Sequence, residues 1–522
     1  MKGNPPKLEI NSSLYEAGLK FVKARRRWGT ESCLKAIERV SRGAWDHHPG
    51  RFADGALENL ALEFGRKLED RGKNSVVAIP TGKHLVSRTL HLATTLYDVG
   101  GHSRVIVKWA DRDKSAEHVI VLTDQRHAVP DFLQEIITRS GNYCVCLPKN
   151  QSIENRAALV RRISKSCDRV ILHTHPNDII PVVAFAKEGG PPVAMFNHAH
   201  FSFNLGSTVS DMIINTLEYF REISERYRFA RSTALLTGPP GLSALNNVII
   251  NKKAARRKLS LPESATVLIS IAQGHYFRPM EGYDFFHTAR SILRKLPDAY
   301  LMIVGVERGS PLVSDDLSSN PRLLLMGYIQ NPIVHYQASD ICLESFPMPS
   351  LGAVCEAVAY GEAYPVPVYG QGEGILRVQL TPMLTFPYRP SDEEAYVEYV
   401  TSLARRRDEI RAEARKMRAK LEEHDQLFES RLCSLNSLVD SLKHSPGEIP
   451  IAKKIESDDC RTLAERDQSD IGEKINAFFP FITSTYHHVG SVLKGYQTCG
   501  SAIQRILNRL KVGLTRRVVR GS

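Results

Sequence analysis

The stretch ESFPMPSLGAVCEAVAYGE, which runs from Glu344 to Glu362, combines two kinds of local structure. Its first half contains two prolines and cannot form a continuous helix, whereas the pattern from about Ser350 onward predicts one. The first turn of a helix presents unpaired N–H groups and the positive end of the helix dipole, which together attract a phosphate. Ser350 can cap this helix and donate its hydroxyl to the same phosphate.

An acidic residue, Glu356, interrupts the apolar second half of the stretch. At about 1.5 Å per residue, it lies roughly 9 Å beyond the start of the helix. That distance from a phosphate suits a ribose, and the two adjacent hydroxyls of a ribose can both donate to a carboxylate. The alternative interpretation is that Glu356 makes only a surface ion pair.

Short apolar runs alternate with helical patterns along most of the chain. Residues 10–72 read as helices. Between residues 75 and 240, six β-branched runs such as RVIVKWA (104–110) read as strands, and segments such as SRTLHLATTLYDVG (87–100) read as helices. The same alternation restarts near residue 264. This order predicts an α/β protein with two doubly wound parallel sheets, whose ligands bind at the carboxyl ends of the strands.

Composition limits the class of protein. The 522 residues fit roughly two to four domains, and a net charge of +12 is too mild to indicate nucleic acid as a partner. The nine cysteines are an odd number without a Cys-x-x-Cys pair, which is typical of free thiols in a reducing compartment. The sequence has neither a signal-peptide pattern nor a long apolar run, so we expect a cytoplasmic protein.

The C-terminal half resembles the nucleotide-sugar donor domain of GT-B-fold glycosyltransferases, which consist of two Rossmann-like domains. Three segments carry this resemblance: ISIAQGHYFRPMEGYDFFHTARSILRKLPDAYLMIVG, then RLLLMGYIQNP, then YQASDICLESFPMPSLGAVCEAVAYGEAYPV with its EA-x-A-x-G pattern. The resemblance covers residues 264–375 well and residues 75–240 more loosely. It implies a donor nucleotide bound to the second domain and an acceptor bound to the first.

The resemblance also implies roles for individual residues, which follow by group. They are Glu356 for the ribose; Ser350, Leu351 and Arg278 for the diphosphate; Tyr328 and Ile329 for the turn beside the base; and Gly100, Gly101 and His102 of YDVGGHSRVI for a glycine loop that meets donor or acceptor. The alternative for the two glycines is an ordinary turn.

Two positions depart from the family pattern. Many retaining members have a second Glu where this chain has Met348, and a phosphate-loop Lys where it has Glu281. The loop SFPMPSLGA is closer to the inverting branch that is related to the O-GlcNAc and bacterial N-linked protein glucosyltransferases. The stereochemistry of transfer therefore stays open.

Histidines cluster in ILHTHPNDIIP and FNHAHFSFNLG, each of which follows or ends a predicted strand. Read without the family, His173, His175, His198 and His200 with Asp178 indicate a metal-dependent hydrolase. Read with it, His198 is the candidate base for an acceptor hydroxyl, and Asp211 is a weaker candidate. Because a helix N-terminus, an arginine and amides can stabilise a leaving diphosphate, we expect neither a metal nor another cofactor.

We therefore predict a glycosyltransferase of the hexosyltransferase type that uses a UDP or GDP sugar. The acceptor is unidentified and could be a glycan, a protein side chain or a lipid-linked carrier. One alternative is a sugar-nucleotide epimerase, which shares the architecture, and another is a nucleotide-binding module without activity.

The expected organisation has five segments. They are a helical N-terminal region (1–73), an N-terminal Rossmann-like acceptor domain (74–245), a C-terminal Rossmann-like donor domain (255–390), a helical segment (391–443), and a polar linker with a basic amphipathic tail (444–522). In the tail, residues 501–522 combine an apolar stripe with arginines and lysine. This pattern favours peripheral contact with an anionic membrane at its inner face, and the alternative is docking on the protein itself.

Overall fold

The computed structural model describes most of the chain, in the residue ranges 7–69, 86–97, 101–137, 142–238, 250–280, 282–370, 384, 386–465, 467, 469 and 471–479. The predicted glycine loop at Gly100, the departure at Glu281 and the basic tail 501–522 lie outside these residues. Contacts divide the chain into two compact units. Unit 1 comprises Met1–Leu96, Lys114–Leu235 and Leu435–Ser522, and unit 2 comprises Tyr97–Asp113 and Leu236–Ser434.

The described residues contain twelve strands. They are β1 (Ser87–Ala93), β2 (Ala116–Leu122), β3 (Tyr143–Cys146), β4 (Arg169–His173), β5 (Val193–Phe196), β6 (Met212–Asn215), β7 (Thr233–Leu235), β8 (Thr266–Ile271), β9 (Ala299–Val304), β10 (Leu323–Leu325), β11 (Ile341–Leu343) and β12 (Tyr364–Val366). Most are runs of Val, Ile and Leu, and the central strands are buried along their length because each sheet is covered on both faces.

The described α-helices surround these strands. They are α1 (Lys7–Arg25), α2 (Thr30–Asp46), α3 (Gly55–Lys67), α4 (Gly101–Arg112), α5 (Asp131–Ile137), α6 (Ile153–Ser164), α7 (Ile180–Ala184), α8 (Glu218–Tyr227), α9 (Lys252–Lys258), α10 (Phe285–Lys295), α11 (Asp315–Ser318), α12 (Ile333–Ala338), α13 (Leu351–Gly361), α14 (Glu393–Ala404), α15 (Arg407–Asp440), α16 (Asp458–Glu465) and α17 (Ile471–Phe478). None of the described helices is both long enough and apolar enough to cross a membrane.

Several helices begin where the sequence supplies a polar cap. The carboxylate of Asp284 accepts from the amides of Phe286 and His287 at the start of α10, and the hydroxyl of Ser152 accepts from Asn155 at the start of α6. Side chains at these positions satisfy N–H groups that the first helical turn leaves unpaired. The helices predicted between the strands therefore begin at recognisable residues.

The two sheets share one strand order. In unit 1 the order is β3-β2-β1-β4-β5-β6-β7, in unit 2 it is β10-β9-β8-β11-β12, and every named pair is parallel. In both sheets the first three strands are added in one direction across the sheet, and the fourth strand pairs with the other side of the first. The winding therefore reverses beside β1 in unit 1 and beside β8 in unit 2. The prediction of two doubly wound parallel sheets is confirmed.

The local assignment around the first strand is wrong. Residues 87–100 were predicted to be a helix, but Ser87–Ala93 form the central strand β1. Residues 104–110 were predicted to be a strand, but they lie inside α4. The β-branched run in α4 favoured the strand interpretation, whereas its basic residues recur every four positions and lie on one face of a helix.

The described part of the polar segment after residue 443 packs on unit 1. The amide of Gly447 donates to Thr208 (2.9 Å), and the amide of Gly55 donates to the carbonyl of Pro450 (3.0 Å). Further on, α16 packs on α1, and α17 packs on α1 and α2. These long-range hydrogen bonds and helix contacts hold the segment on unit 1, although its polar sequence shows no helical or strand periodicity.

A row of three buried histidines crosses the middle of the unit 1 sheet. His91 on β1 bonds through Nδ1 to Nε2 of His173 on β4 (3.1 Å) and through Nε2 to Nδ1 of His118 on β2 (3.0 Å). All three side chains are buried. Burial and the two neighbouring imidazoles hold the pKa of His91 well below its ordinary value, so the folded protein keeps this ring neutral.

This arrangement predicts acid sensitivity of unit 1. In the unfolded chain His91 takes up a proton below pH 6.5, whereas in the folded chain it does not, so stability falls as the pH decreases. When the pH is lowered from 7.5 to 5.5, the unfolding free energy of the wild type should fall more than that of His91→Gln. The difference expected from this one group is about 1.4 kcal/mol. Urea unfolding at the two pH values measures this difference.

The control is His127→Gln, because His127 is exposed in the same unit. This variant should follow the wild-type pH dependence. Equal pH dependence of His91→Gln and His127→Gln would contradict the interpretation.

Candidate functional site

The carboxyl ends of β8, β9 and β10 in unit 2 are joined by backbone hydrogen bonds. The amide of Ala272 donates to Val304 (3.1 Å), and the amide of Gly305 donates to Gly327 (2.7 Å). Gly305 has a φ of 98°, and a Cβ at this position would lie 2.2 Å from the carbonyl oxygen of Ala272. Only glycine fits this close approach, so the turns form one continuous edge of the sheet.

The loop after β11 reaches the same edge. The hydroxyl of Ser345 donates to the carbonyl of Met348 (2.7 Å), and the amide of Met348 donates to Tyr276 (3.3 Å). Tyr276 belongs to a short 3-10 turn that directly precedes Arg278, whose side chain is exposed. The loop that leads into α13 is therefore tied to the segment that carries the predicted diphosphate cation.

Helix α13 begins where the sequence predicted. Ser350 is its N-cap residue, and the Ser350 carbonyl accepts from the amide of Ala353 (2.8 Å). The Ser350 side chain makes no cap hydrogen bond, which differs from the predicted capping role. Its hydroxyl and the first amides of the helix, beginning at Leu351, remain at the edge where the strands end.

Glu356 is not on the surface. It is 7% exposed, and its two carboxylate oxygens have different partners. Oε1 pairs with the guanidinium of Arg104 on α4, and Oε2 accepts from the hydroxyl of Tyr336 on α12 (3.0 Å). Burial raises the pKa of Glu356, and both partners oppose this by favouring the ionised form. The alternative of a surface ion pair is therefore wrong.

Helix α4 presents a row of cations to acids of unit 2. Arg104 pairs with Glu356, and one turn further Lys108 pairs with Asp425 on α15 (2.6 Å). Arg112 binds the same aspartate (2.5 Å). Residues four positions apart lie on one helical face, so the whole row belongs to a single surface of α4. By their contacts, residues 97–113 belong to unit 2, although they connect two strands of unit 1.

The predicted base-binding turn follows β10. Gly327 has a φ of 61°, and its amide donates to Val306 (3.0 Å). The Tyr328 side chain is 61% exposed, and Ile329 is partly buried. A Cβ at Gly327 would lie 2.6 Å from a carboxylate oxygen of Glu307, which places this acid beside the turn.

Three residues near this edge were missed by the sequence interpretation. Arg104 and Tyr336 bind the carboxylate of Glu356 from helices that are far apart in the chain. Glu344 directly follows the buried strand β11, and burial raises its pKa to about 8. The only sequence signal for Arg104 was its place just after the glycine pair, and nothing in the sequence marked Tyr336.

The candidates of unit 1 are not brought together. His173 is bonded to His91 in the core, and His200 stacks on Phe220 at 3.6 Å between ring centroids. Burial lowers the pKa of His200 to about 3. Asp178 accepts from the hydroxyls of Thr94 and Thr123 instead of facing a histidine cluster.

Across the described residues, no group of three His, Cys, Asp or Glu side chains is arranged to hold a metal ion. The metal-site hypothesis based on His173, His175, Asp178, His198 and His200 is therefore wrong. His198 follows β5 at the carboxyl edge of the unit 1 sheet and is partly exposed. It remains a candidate base.

Asp211 lies at the opposite edge, because it immediately precedes β6. Its carboxylate accepts from Nδ1 of His444 (2.8 Å) and from the amides of Val193 (2.8 Å) and Ser445 (2.9 Å). We therefore assign Asp211 a structural role, which is to hold residues 444 and 445 on the sheet. Gly101 begins α4 and is exposed, and the adjacent His102 belongs to its first turn.

Comparison with known proteins identifies the fold. No family model and no curated protein sequence matches the chain. Among solved structures, Anabaena HepE in complex with UDP and glucose aligns with a TM-score of 0.50 at 12% identity, over 67% of this chain and 100% of HepE. A glycosyltransferase from Rickettsia africae aligns with a TM-score of 0.50 at 13% identity, over 68% and 99% of the two chains. The chain has the GT-B fold.

A mutant O-GlcNAc transferase from Thermobaculum terrenum also matches, with a TM-score of 0.48 and 15% identity over 83% of this chain and 82% of that one. The alignments to HepE and to the Rickettsia africae glycosyltransferase, both with a TM-score of 0.50, confirm the predicted two-domain GT-B architecture at the level of the fold. In GT-B terms, unit 2 contains the second Rossmann-like sheet, and Glu356 lies in the helix that follows its fourth strand.

The buried ion pair of this GT-B chain predicts a pH-dependent loss of stability in Arg104→Met. Removing one partner of a buried pair leaves the other charge uncompensated, which costs about 3–5 kcal/mol. Without Arg104, the pKa of Glu356 rises further above its unfolded value, so the loss should be larger at pH 8 than at pH 5. Urea unfolding followed by the fluorescence of buried Trp109, in a Trp28→Phe/Trp45→Phe background, measures it.

The matched control is Arg112→Met, on the same helical face but more exposed and with Asp425 still paired to Lys108. This variant should lose less than about 1 kcal/mol of unfolding free energy. The double variant Arg104→Met/Glu356→Met should lose less stability than the sum of the two single variants. Equal costs of Arg104→Met and Arg112→Met, or no pH dependence, would contradict this account.

Proposed function

We propose that this GT-B chain is a glycosyltransferase that takes a sugar from a nucleoside diphosphate sugar, with uridine diphosphate as the preferred carrier. The observation that carries the proposal is the position of Glu356, a carboxylate about a turn and a half inside a helix whose N-terminus lies at the carboxyl edge of the unit 2 sheet. HepE, which has the same fold, is described in complex with UDP and glucose, and this supports uridine.

Each part of a nucleotide has a suitable group at this edge. The N-terminus of α13 offers amides and a positive dipole to the diphosphate. Arg278, which directly follows the 3-10 turn that contains Tyr276, offers an exposed guanidinium. The turn at Tyr328 and Ile329 offers backbone groups and a tyrosine ring to the base. We assign the ribose to Glu356, because a carboxylate accepts from both of its hydroxyls.

Ribose binding to Glu356 requires the Arg104 side chain to change its hydrogen-bond partner. Both oxygens of Glu356 already have partners, and the Arg104 side chain is only 12% exposed. We expect the ribose hydroxyls to replace the Arg104 guanidinium on Oε1, while the Tyr336 hydroxyl stays on Oε2. The released guanidinium is then available to the diphosphate, so that a bound anion replaces the carboxylate as its partner.

The transfer step needs little from the protein beyond charge stabilisation. The bond between the sugar carbon and the β-phosphate oxygen breaks, the acceptor oxygen bonds to that carbon, and the acceptor proton leaves. Helix amides and guanidinium groups stabilise the negative charge that develops on the departing diphosphate. We propose His198 as the base that takes the acceptor proton, because a neutral imidazole at the carboxyl edge of the sheet can accept a proton.

We also propose three more specific features of the function. They are a hexose as the transferred sugar, an acceptor that is a glycan, a protein side chain or a lipid-linked carrier, and attachment to an anionic membrane through residues 501–522. The loops of unit 1 should decide the acceptor, because loops on a rigid sheet vary most in GT-B-like scaffolds.

Thermal unfolding with UDP, GDP, ADP and CMP tests the donor assignment. A ligand at 100 times its Kd stabilises the folded state by about 2.7 kcal/mol, which corresponds to a shift of several degrees. We expect the largest shift with UDP and at least a tenfold weaker UDP affinity in Glu356→Gln, which keeps the shape of the side chain. The control is Glu362→Gln, at the other end of the same helix, where Arg411 and Arg415 bind the carboxylate.

Turnover then separates the transferase from its alternatives. A transferase releases UDP from a UDP sugar fastest when an acceptor is present, whereas an epimerase converts the sugar of the donor without one. His198→Asn should lower kcat for transfer and leave UDP affinity unchanged. Failure of all four nucleotides to shift the unfolding temperature would overturn the proposal.

A further inference from the structure

Unit 1 contains a polar cavity, and none of its lining residues has been assigned a role in the proposed transfer reaction. Its volume is about 530 Å³, which is in the range of cavities that hold small molecules. It is lined by residues from α2, from α6 and its preceding loop, and from the segments that follow β1, β2 and β4. They are Glu38, Thr94, Thr123, Asp124, Arg126, Lys149, Arg156, Asn177, Asp178 and Ile180.

The inner side of the cavity is built from hydroxyl-binding groups that are fixed in place. Asp178 is buried and accepts from the hydroxyls of Thr94 (2.6 Å) and Thr123 (2.5 Å) and from the amide of Ile180 (3.0 Å). Burial raises the pKa of Glu38 to about 8, so at neutral pH its carboxyl group is protonated. A protonated carboxyl group both donates and accepts, as a hydroxyl of a ligand requires.

Two polar atoms of the lining have no hydrogen-bond partner among the residues that the structure describes. They are the side-chain oxygen Oδ1 of Asn177 and the Nε of Arg156, and both atoms are buried. The Arg156 guanidinium is nevertheless held in place, because its Nη1 donates to the carbonyl of Thr123 (3.2 Å). Buried polar atoms are normally paired, so the cavity calls for a ligand that offers one donor and one acceptor here. A sugar hydroxyl offers both.

The outer side of the cavity is cationic. Lys149 is exposed, and Arg126 is exposed and pairs with Asp124 (2.8 Å). With Arg156 these residues supply three positive charges, against at most two negative charges from Asp124 and Asp178 while Glu38 is protonated. A low-dielectric cavity with excess positive charge at its opening attracts small anions.

We propose that this cavity binds a small sugar that carries an anionic group, with its hydroxyls at Asn177 and Arg156 and its anion at Lys149 and Arg126. The shared chemistry is a polyol with a phosphate or a carboxylate. All lining residues belong to unit 1, so the proposal does not depend on nucleotide binding by unit 2.

Isothermal titration calorimetry on the full chain tests the proposal. The probes are glucose 6-phosphate and glucuronate as anionic sugars, glucose as the uncharged sugar, and inorganic phosphate as the anion alone. We expect at least one anionic sugar to bind at least tenfold more tightly than both glucose and phosphate, and its affinity to fall with added salt. Preference for glucose 6-phosphate would assign a phosphate, and preference for glucuronate a carboxylate.

Two pairs of variants locate the ligand. Lys149→Gln should weaken binding of the anionic sugar at least fivefold, whereas Lys20→Gln, an exposed lysine on α1, should not change it. Asn177→Ala should weaken the anionic sugar but leave phosphate unchanged, whereas Asn150→Ala, an exposed neighbour of Lys149, should affect neither.

Three results would overturn the proposal. They are no binding of either anionic sugar at millimolar concentration, equal affinity for glucose or for phosphate alone, and an affinity that Lys149→Gln leaves unchanged. Glu356→Gln separates this site from the donor site, since it should weaken UDP and leave the anionic sugar unaffected. Loss of both ligands in Glu356→Gln would place the sugar in unit 2 and contradict the assignment.

Discussion

A carboxylate buried in an apolar helix needs a counter-charge, and the ion pair between Glu356 and Arg104 meets this need in unit 2. The pair joins α13 to α4, and Lys108 and Arg112 extend the same face of α4 to Asp425. Helix α4 belongs to unit 2 by its contacts, although it connects two strands of unit 1. One interaction therefore connects the proposed ribose ligand to the architecture of the chain.

The common strand order explains where the two candidate sites lie. In each sheet the direction of winding reverses beside the first strand, between β1 and β4 in unit 1 and between β8 and β11 in unit 2. Ligands of doubly wound proteins bind outside the carboxyl ends of strands at such a point. The cavity of unit 1 takes residues that follow β1 and β4, and helix α13 follows β11. The backbone thus supplies two similar positions, and the side chains give them different chemistry.

The sequence predicted elements whose signal is local. The helix from Ser350 and both parallel sheets were predicted correctly, because prolines, the helical spacing of apolar residues and β-branched runs act within a few positions. The assignments of β1 and α4 failed because fully buried strands lack alternation and β-branched residues also occur in helices. The partners of Glu356 could not be predicted, since Arg104 lies 252 positions away and the pairing exists only in the folded chain. The same holds for Glu38, which reaches its cavity from α2.

The most direct test of the account is a crystal structure of the chain with UDP. The account predicts UDP on unit 2, with both ribose hydroxyls within hydrogen-bond distance of Glu356, the Tyr336 hydroxyl still on Oε2, and the Arg104 guanidinium moved from the carboxylate towards the diphosphate. A structure in which UDP is bound while Arg104 still occupies Glu356 and the ribose lies against other residues would contradict it.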